Sequence, residues 1–413
     1  MKHSNTAHRL NNLPFYLYPT IDKATSTARQ RGLNIIDLSL GEPGFRTPKN
    51  ISDVLKDACV KPEMQCYGNI QGYPALRESI SKWYFKRFGV KLNSEEEVVT
   101  FIGSKEGIAL LPLAYINPGD IVLIPDPGYP TYRYAAAFAG AKLETFPIRP
   151  ENNYEPDFNE IPESVAEKAK IIYLNYPNNP TGATVDKTFF EKVVAFAKKH
   201  NILVSHDAAY TELTYDGYKA PSFLEASGAK DVGVEFHTLS KTFSMTGWRI
   251  GFGVGNKKII KALLEAKRVI STGHFPAIEM AGCEALNHKS IDLEHNNQIL
   301  KARRDLTIQE LHKLDIAIDP PKGAFFVWFP IPKGESSLDF TTRLILETGV
   351  VTFPGIGYGE NGEGYIRISF TQDLPLLAEA FKRIKKYFNN FEHKHICSGN
   401  VGNKQDGVLK LRS

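Results

Sequence analysis

The feature that most constrains the fold is a series of short apolar runs separated by segments with helical periodicity. One such segment starts at Asp186, a residue type that caps helices, and its apolar residues recur every three or four positions. Buried strands that alternate with amphipathic helices are typical of an α/β domain around a mostly parallel sheet. The predicted strands are Val98–Ile102, Ile121–Pro125, Ile171–Leu174, Ile202–Ser205, Phe236–Leu239 and Ile250–Val254.

The pattern changes after about residue 285. A long polar helix is expected around Asn297–Leu314, followed by three β-like stretches and a closing helix after Asp373, an order that predicts a smaller α+β domain. The stretches are Phe325–Phe329, Val350–Phe353 and Tyr365–Phe370. The expected organisation is an N-terminal arm with part of the small domain (1–45), a large domain (46–285), a small C-terminal domain (286–391) and a flexible tail (392–413).

Composition argues against several classes of protein. The chain has 413 residues, and its 50 Lys and Arg exceed its 46 Asp and Glu by only four, without a basic stripe that would indicate a nucleic-acid partner. The longest apolar run, Ile108–Ile116, is too short to span a bilayer, and the polar start lacks the core of a signal peptide. The four cysteines show neither metal-type spacing nor the density of a disulfide scaffold. We expect a cytoplasmic protein that binds no membrane, nucleic acid or metal.

Lys241 gives the strongest chemical signal. It lies in the run Ser240–Gly251, directly after the apolar segment Val234–Leu239. A lysine at a strand end can be both desolvated and reachable, and desolvation lowers the amine pKa, as a Schiff-base lysine requires. Arg249 can return to the same pocket and offer a forked cation to a phosphate. A strand-end lysine by itself is more often a surface residue, so the neighbouring motifs decide the interpretation.

Three other polar segments also follow predicted strands. Asn175–Gly182 ends one strand and His206–Tyr210 ends the next, and open α/β sheets bind ligands at the carboxyl ends of their strands. Gly103–Lys105 follows the strand Val98–Ile102 and opens a predicted helix, whose N-terminal N–H groups would face an anion. We expect the strand-end segments and Lys241 to converge on one site.

In this order, the segments resemble the fold-type I, class I/II aminotransferases over roughly residues 10–390. The resemblance implies the α/β fold of type I pyridoxal-phosphate-dependent transferases, with pyridoxal 5′-phosphate on Lys241 as a Schiff base. Lys241 would then shuttle a proton at the substrate α-carbon, while Asp207 keeps the cofactor's pyridinium nitrogen protonated so that the ring acts as an electron sink. By the same resemblance, Asn179 and Tyr210 hydrogen-bond the 3′-oxygen, and Tyr129 stacks on the ring.

The resemblance also implies the contacts to the cofactor phosphate. Tyr67 matches a tyrosine that reaches the phosphate from the neighbouring subunit, which would make the protein a homodimer with shared active sites. Thr238 departs from the serine most often found at its position, although its hydroxyl can serve the same role. The remaining residues of the implied phosphate site are Ser104, Lys105, Ser240 and Arg249.

The expected partners are small molecules, an amino acid and a 2-oxo acid such as 2-oxoglutarate. Arg367 lies in the alternating stretch Tyr365–Phe370, and by resemblance its forked guanidinium binds the substrate α-carboxylate. Gly41 matches a backbone position that closes over the same carboxylate, and Asn179 is a further substrate contact. Lys105 is interpreted as a candidate for the distal carboxylate, because the phosphate does not obviously need a second cation beside Arg249.

Within the family, three runs most resemble the LL-diaminopimelate aminotransferases of lysine biosynthesis. These runs are Ile102–Gly107, Asp126–Pro130 and Glu235–Lys241. Relatives that act on alanine or aspartate share much of this pattern, and Ser271–Glu279 departs from the glutamine-containing pattern expected of the LL-diaminopimelate branch.

Two other classes of protein would retain Lys241 and Asp207. A pyridoxal-phosphate carbon–sulfur lyase differs in which bond at the α-carbon is held perpendicular to the ring, a matter of fine geometry. A cofactor-binding regulator should carry a DNA-binding module ahead of this region, and only some forty residues precede it. Arg367 and Gly41 favour an amino acid substrate, and transamination is the preferred interpretation.

Overall fold

A seven-stranded sheet forms the centre of the protein in a computed structural model that describes residues 6–11, 13–14, 17–287 and 293–398. The strands are β1 Ile36–Asp37, β2 Val98–Ile102, β3 Ile121–Asp126, β4 Lys142–Pro147, β5 Ala169–Asn175, β6 Leu203–Asp207, β7 Gly233–Thr238, β8 Ile250–Gly255, β9 Phe326–Pro330, β10 Val350–Val351, β11 Phe353–Pro354 and β12 Tyr365–Ser369. The central sheet has the order β2–β8–β7–β6–β5–β3–β4. β3 to β7 are parallel where they pair, and β8 is antiparallel to both of its neighbours.

Helices cover both faces of this sheet and surround the smaller ones. They are α1 His8–Asn11, α2 Tyr18–Gln30, α3 Lys49–Cys59, α4 Pro74–Phe88, α5 Ser104–Tyr115, α6 Pro130–Phe138, α7 Glu163–Ala166, α8 Lys187–His200, α9 Ala229–Val232, α10 Leu239–Thr242, α11 Lys257–Ile270, α12 Pro276–Asn287, α13 Leu293–His312, α14 Ser337–Thr348 and α15 Leu374–Ser398. None of the helices in the described ranges is long and apolar enough to cross a membrane.

The predicted α/β fold is confirmed, and all six predicted strands belong to the central sheet. The helix after Asp186 is α8, where the Asp186 side chain accepts a hydrogen bond from the Phe189 N–H at 3.1 Å. β4 was not predicted. It lies at the edge of the sheet, and only Phe146 among its residues is buried, so no apolar run marks it.

A second apolar core lies around the antiparallel sheet β11–β12–β9, with residues of α13, α14 and α15 packed into it. The predicted stretch Val350–Phe353 is divided by Thr352. Val350 pairs with Ile36 of the N-terminal segment, whereas Phe353 pairs with Arg367, so β10 and β11 belong to different sheets. α15 continues to Ser398, past the predicted start of the tail at residue 392, and the rest of that tail (399–413) lies outside the described residues.

Candidate active site

Three of the strand-end segments meet at one edge of the central sheet. Asn175 at the end of β5 pairs with Asp207 at the end of β6, and Asp207 pairs with Phe236 of β7. β7 then continues through Thr238 into the short helix α10, which carries Lys241. The parallel register therefore places the amide, the carboxylate and the amine at the carboxyl edge, as the sequence predicted.

Lys241 is partly buried, and its Nζ donates a hydrogen bond to the carbonyl oxygen of Gly41. Burial lowers the pKa of Lys241 to about 8, and the nearby cations Arg249 and Arg367 also lower it, while Glu42 and Asp207 act in the opposite direction. A pKa of about 8 leaves an appreciable neutral fraction of the amine near neutral pH, and the neutral amine is the nucleophilic form.

Asp207 is buried, and its carboxylate has a partner that sequence reasoning missed. The Tyr132 hydroxyl donates to Oδ2 of Asp207 at 2.8 Å, and the Ala209 N–H donates to Oδ1 at 3.3 Å. Burial raises the pKa of Asp207, and the hydrogen bond from Tyr132 lowers it. Tyr132 follows Tyr129 by three positions at the start of α6, and the two rings lie 5.6 Å apart. This helical spacing from a predicted site residue could have indicated in the sequence that Tyr132 also lies at the site.

A chain of polar contacts links Tyr210, Asn179 and Arg367. The Asn179 Nδ2 lies 3.4 Å from the Tyr210 hydroxyl, and Arg367 donates from Nη1 to Asn179 Oδ1 at 2.9 Å. Arg367 also donates from Nη2 to the carbonyl of Ser39 at 2.5 Å, and its guanidinium carbon lies 4.1 Å from the centre of the Phe326 ring. Its buried Nε has no hydrogen-bond partner within the described ranges, which leaves one donor of the fork available.

Asn175 is a second residue that sequence reasoning did not single out. Its Oδ1 accepts from the backbone N–H of Asn179 at 2.7 Å, and its Nδ2 donates to the carbonyl of Asp207 at 2.7 Å. Asn175 therefore holds the loop with Asn179 and the strand with Asp207 in a fixed relation. Its place in the run Asn175–Gly182 was visible in the sequence, but its partners depend on the pairing of β5 with β6.

Arg249 and the N-terminus of α5 form a corner suited to an anion. Gly103 precedes α5 with φ +73°, and a Cβ at this position would collide with Nη2 of Arg249, so the guanidinium lies directly beside the helix start. Arg249 Nη1 donates to the carbonyl of Thr246 at 2.8 Å and lies 3.5 Å from Ser240 Oγ. Helix N–H groups next to a guanidinium attract a phosphate or carboxylate.

The other predicted phosphate ligands differ in their burial and in their hydrogen bonds within this chain. Thr238 caps α10, and its Oγ1 accepts from the Ser240 N–H at 3.2 Å. Ser104 is partly buried at the first position of α5, and Lys105 beside it is exposed. Tyr67 exposes 89% of its surface, which is far more than a residue enclosed in a site of this chain would show.

The sequence profile described as "Aminotransferase class I and II" matches residues 34–384. The chain belongs to this aminotransferase family. It is 43% identical over 386 residues to an LL-diaminopimelate aminotransferase of Moorella thermoacetica, covering 94% of this chain and 99% of the relative. It is 45% identical over 380 residues to one of Syntrophobacter fumaroxidans, covering 92% and 98%. The class I and II aminotransferases in general depend on pyridoxal phosphate.

Solved structures of aminotransferases share the fold. A substrate-bound BacF structure from Bacillus subtilis superimposes with a TM-score of 0.90 at 39% identity, covering 93% of this aminotransferase and 98% of BacF. An aspartate aminotransferase from Thermotoga maritima gives a TM-score of 0.87 at 27% identity, covering 93% and 99%. The predicted family, fold and class of enzyme are thus confirmed.

Proposed function

We propose that this aminotransferase moves the amino group of LL-diaminopimelate to 2-oxoglutarate, with pyridoxal 5′-phosphate bound at Lys241. The observation that carries the proposal is Lys241 itself, whose pKa is lowered to about 8 and which lies in a site that also contains the buried Asp207 carboxylate. LL-diaminopimelate aminotransferases 42–46% identical over 88–94% of this chain support the choice of substrate.

The residues present fit pyridoxal phosphate. When bound, the cofactor supplies an electron-withdrawing ring that stabilises negative charge at the substrate α-carbon. The Asp207 carboxylate, already an acceptor for Tyr132, would accept a further hydrogen bond from a protonated ring nitrogen. Asn179 and Tyr210, which lie 3.4 Å apart, would donate to the 3′-oxygen, and Tyr129 would cover one face of the ring.

The corner around Arg249 suits the cofactor phosphate. Its guanidinium lies beside the N-terminus of α5, where the N–H groups of Ser104 and Lys105 precede the first backbone hydrogen bond, from Glu106 to Gly103. The hydroxyl groups of Thr238, Ser240 and Ser104 complete a set of donors for three phosphate oxygens.

Arg367 and Lys241 would act directly on the substrate. Arg367 would hold the α-carboxylate with its fork and thereby orient the α-carbon, since the residue is fixed from both sides by Asn179 and Ser39. The neutral Lys241 amine would then take the proton from the substrate α-carbon and hold it during the transfer. Gly41 lies next to this site, since its carbonyl oxygen accepts a hydrogen bond from the Lys241 amine, and its backbone would close over the carboxylate.

The distal end of the substrate would meet residues at the rim of the site. Lys105 is exposed on the first turn of α5, where an ammonium can reach a second carboxylate without competing with Arg249 for the phosphate. The exposed Tyr67 supports a homodimer in which this residue contributes to the site of the partner subunit. A cytoplasmic location remains a prediction of the sequence.

The test is an assay of the purified holoenzyme with 2-oxoglutarate and single amino donors, in which newly formed glutamate is measured. LL-diaminopimelate should be the best donor, and Lys241→Ala should give no glutamate with any donor. Preference for alanine or aspartate would move the chain to the neighbouring branches of the family. Release of pyruvate or ammonia without glutamate would contradict transamination and indicate a lyase.

A further inference from the structure

The segment Ser271–Glu279, where the sequence departs from the expected pattern, runs from the end of α11 into α12 and packs behind Arg249. His274, in its middle, is only 6% exposed. The family resemblance assigns no role to His274. A buried imidazole needs hydrogen-bond partners, and the partners of His274 connect it to the phosphate corner.

The His274 side chain contacts the backbone of Arg249. Nε2 of His274 lies 3.0 Å from the Arg249 carbonyl oxygen. A carbonyl oxygen only accepts, so Nε2 carries the hydrogen. Arg249 has φ +57°, a left-handed conformation that is unfavourable for a residue with a Cβ. The hydrogen bond from His274 therefore supports a backbone conformation that the chain does not adopt readily.

The Glu279 carboxylate lies beside the other ring nitrogen of His274 without a hydrogen bond to it. Nδ1 of His274 lies 3.4 Å from Glu279 Oε1 and has no hydrogen-bond partner within the described ranges. Glu279 is fully buried, and it accepts from the Thr100 hydroxyl at 2.8 Å and from the Tyr73 N–H at 2.9 Å. Since Thr100 belongs to β2, which leads into Gly103, the carboxylate beside the imidazole is anchored to the same framework that presents the N-terminus of α5.

The backbone of the same segment touches the loop that carries Tyr67. A Cβ at Gly68 would collide with the His274 carbonyl oxygen, and a Cβ at Gly273 would lie 2.8 Å from the Asn69 carbonyl oxygen. The close packing leaves no space between the two segments. His274 thus contacts Arg249 through its side chain and the neighbour of Tyr67 through its backbone.

We propose that His274 is a positioning residue for the phosphate site, holding Arg249 in its left-handed conformation so that the guanidinium stays beside Gly103. The identity of the anion as the phosphate of pyridoxal phosphate rests on the proposed function. Loss of the imidazole hydrogen bond should weaken binding of the phosphate group while leaving the contacts around Lys241 and Asp207 in place, because Lys241 lies on α10 and Asp207 on β6.

Two amide variants test this role. In His274→Gln the amide nitrogen can take the position of Nε2, whereas in His274→Asn it can reach only the position of Nδ1. Dissociation constants are measured by equilibrium dialysis of the holoenzyme for pyridoxal phosphate, and by titration of the dialysed protein for pyridoxal, which lacks the phosphate. His274→Asn should weaken pyridoxal phosphate binding about tenfold, as the loss of one hydrogen bond predicts, and His274→Gln should stay within about threefold of the wild type. Pyridoxal binding should not change in either variant.

Equal binding of pyridoxal phosphate by His274→Asn and the wild type would overturn the proposal, and so would an equal loss for both compounds, which would indicate general damage. If His274→Asn does not fold, His274→Leu offers an apolar side chain for the buried site and is held to the same comparison. A wild-type protein that binds neither compound would instead overturn the proposed cofactor. Binding without transamination of LL-diaminopimelate would overturn only the proposed reaction and leave the result for His274 valid.

Discussion

The hydroxyl of Tyr132 lies 2.8 Å from the Asp207 carboxylate and donates a hydrogen bond to it. Tyr132 is fully buried, and its ring stacks on that of Tyr173 at 4.9 Å. The carboxylate at the centre of the candidate site is therefore oriented by a rigid donor. An Asp207 side chain that is desolvated by burial needs this kind of partner to remain ionised.

Tyr132→Phe should change the pKa of Asp207 and the pH dependence of catalysis, and should leave the fold in place. The hydrogen bond lowers the pKa of Asp207, so its removal should raise that pKa and move the acidic limb of the kcat profile to higher pH. We expect kcat to fall about tenfold, whereas Asp207→Ala should cost about a thousandfold. Tyr173→Phe is the matched control, since its hydroxyl donates to the Ile108 carbonyl and not to the site. An unchanged acidic limb would contradict this role.

The lowered pKa of Lys241 predicts how the amine reacts with added cofactor. The rate of reconstitution with pyridoxal phosphate should rise with pH and level off above about pH 8, and not near the ordinary lysine value of 10.5. Between these two values the unfolded chain binds more protons than the folded one, so the contribution of Lys241 to stability rises with pH in this window. Stopped-flow absorbance measures this rate at each pH, and Lys241→Ala should show no absorbance change from reaction of the amine with the cofactor. A rate that still climbs at pH 10 would refute the assignment.

Gly103→Ala tests the corner around Arg249, and Gly89→Ala is its control for a left-handed glycine. Gly89 has φ +71° and ψ 3°, so alanine should cost about 1 kcal/mol of unfolding free energy there, whereas Gly103 has φ +73° and ψ 155°, a conformation that almost only glycine adopts, so alanine should cost about 3 kcal/mol. A Cβ at Gly103 collides with the Arg249 guanidinium, whereas a Cβ at Gly89 meets no atom within 4 Å. We expect both variants to lose stability in denaturant titrations, Gly103→Ala more than Gly89→Ala, with cofactor affinity reduced about tenfold or more in Gly103→Ala alone. Equal affinities would show that the guanidinium does not hold the phosphate.

Arg367→Ala should raise KM for every amino acid donor. The side chain is buried and bonded to Asn179 and Ser39, so its removal leaves both the substrate carboxylate and these partners without a donor. Loss of one partner of a buried charged pair predicts a fall in kcat/KM of about thirtyfold or more. Arg383→Ala on α15 is the control, because Arg383 bonds to Asn34 and Thr348 instead. Comparable kinetics in the two variants would exclude a role in carboxylate binding.

Lys105→Met should raise KM only for amino donors that carry a distal carboxylate. If the ammonium holds the second carboxylate, KM for LL-diaminopimelate and glutamate should rise about tenfold, while KM for alanine should not change. Alanine serves as the internal control because it has no distal carboxylate. The proposed role of Lys105 is wrong if the steady-state constants for the dicarboxylic donors remain those of the wild type.

The order of motifs along the chain was enough to predict the family and the strands that carry the candidate site. Lys241, Asp207 and Asn179 follow apolar runs, and parallel strands necessarily present their carboxyl ends at one edge. The helix cap at Asp186 was also predictable, because capping depends on residues three positions apart.

The tertiary structure decided the relations between residues that are distant in sequence. Arg367 meets Asn179 across 188 positions, and His274 meets Arg249 only because the segment after α11 folds back on β8. Tyr132 becomes the partner of Asp207 because α6 packs against the parallel strands. Local periodicity reports which face of an element is buried, but it carries no information about which other element lies against that face, and these contacts depend on that pairing.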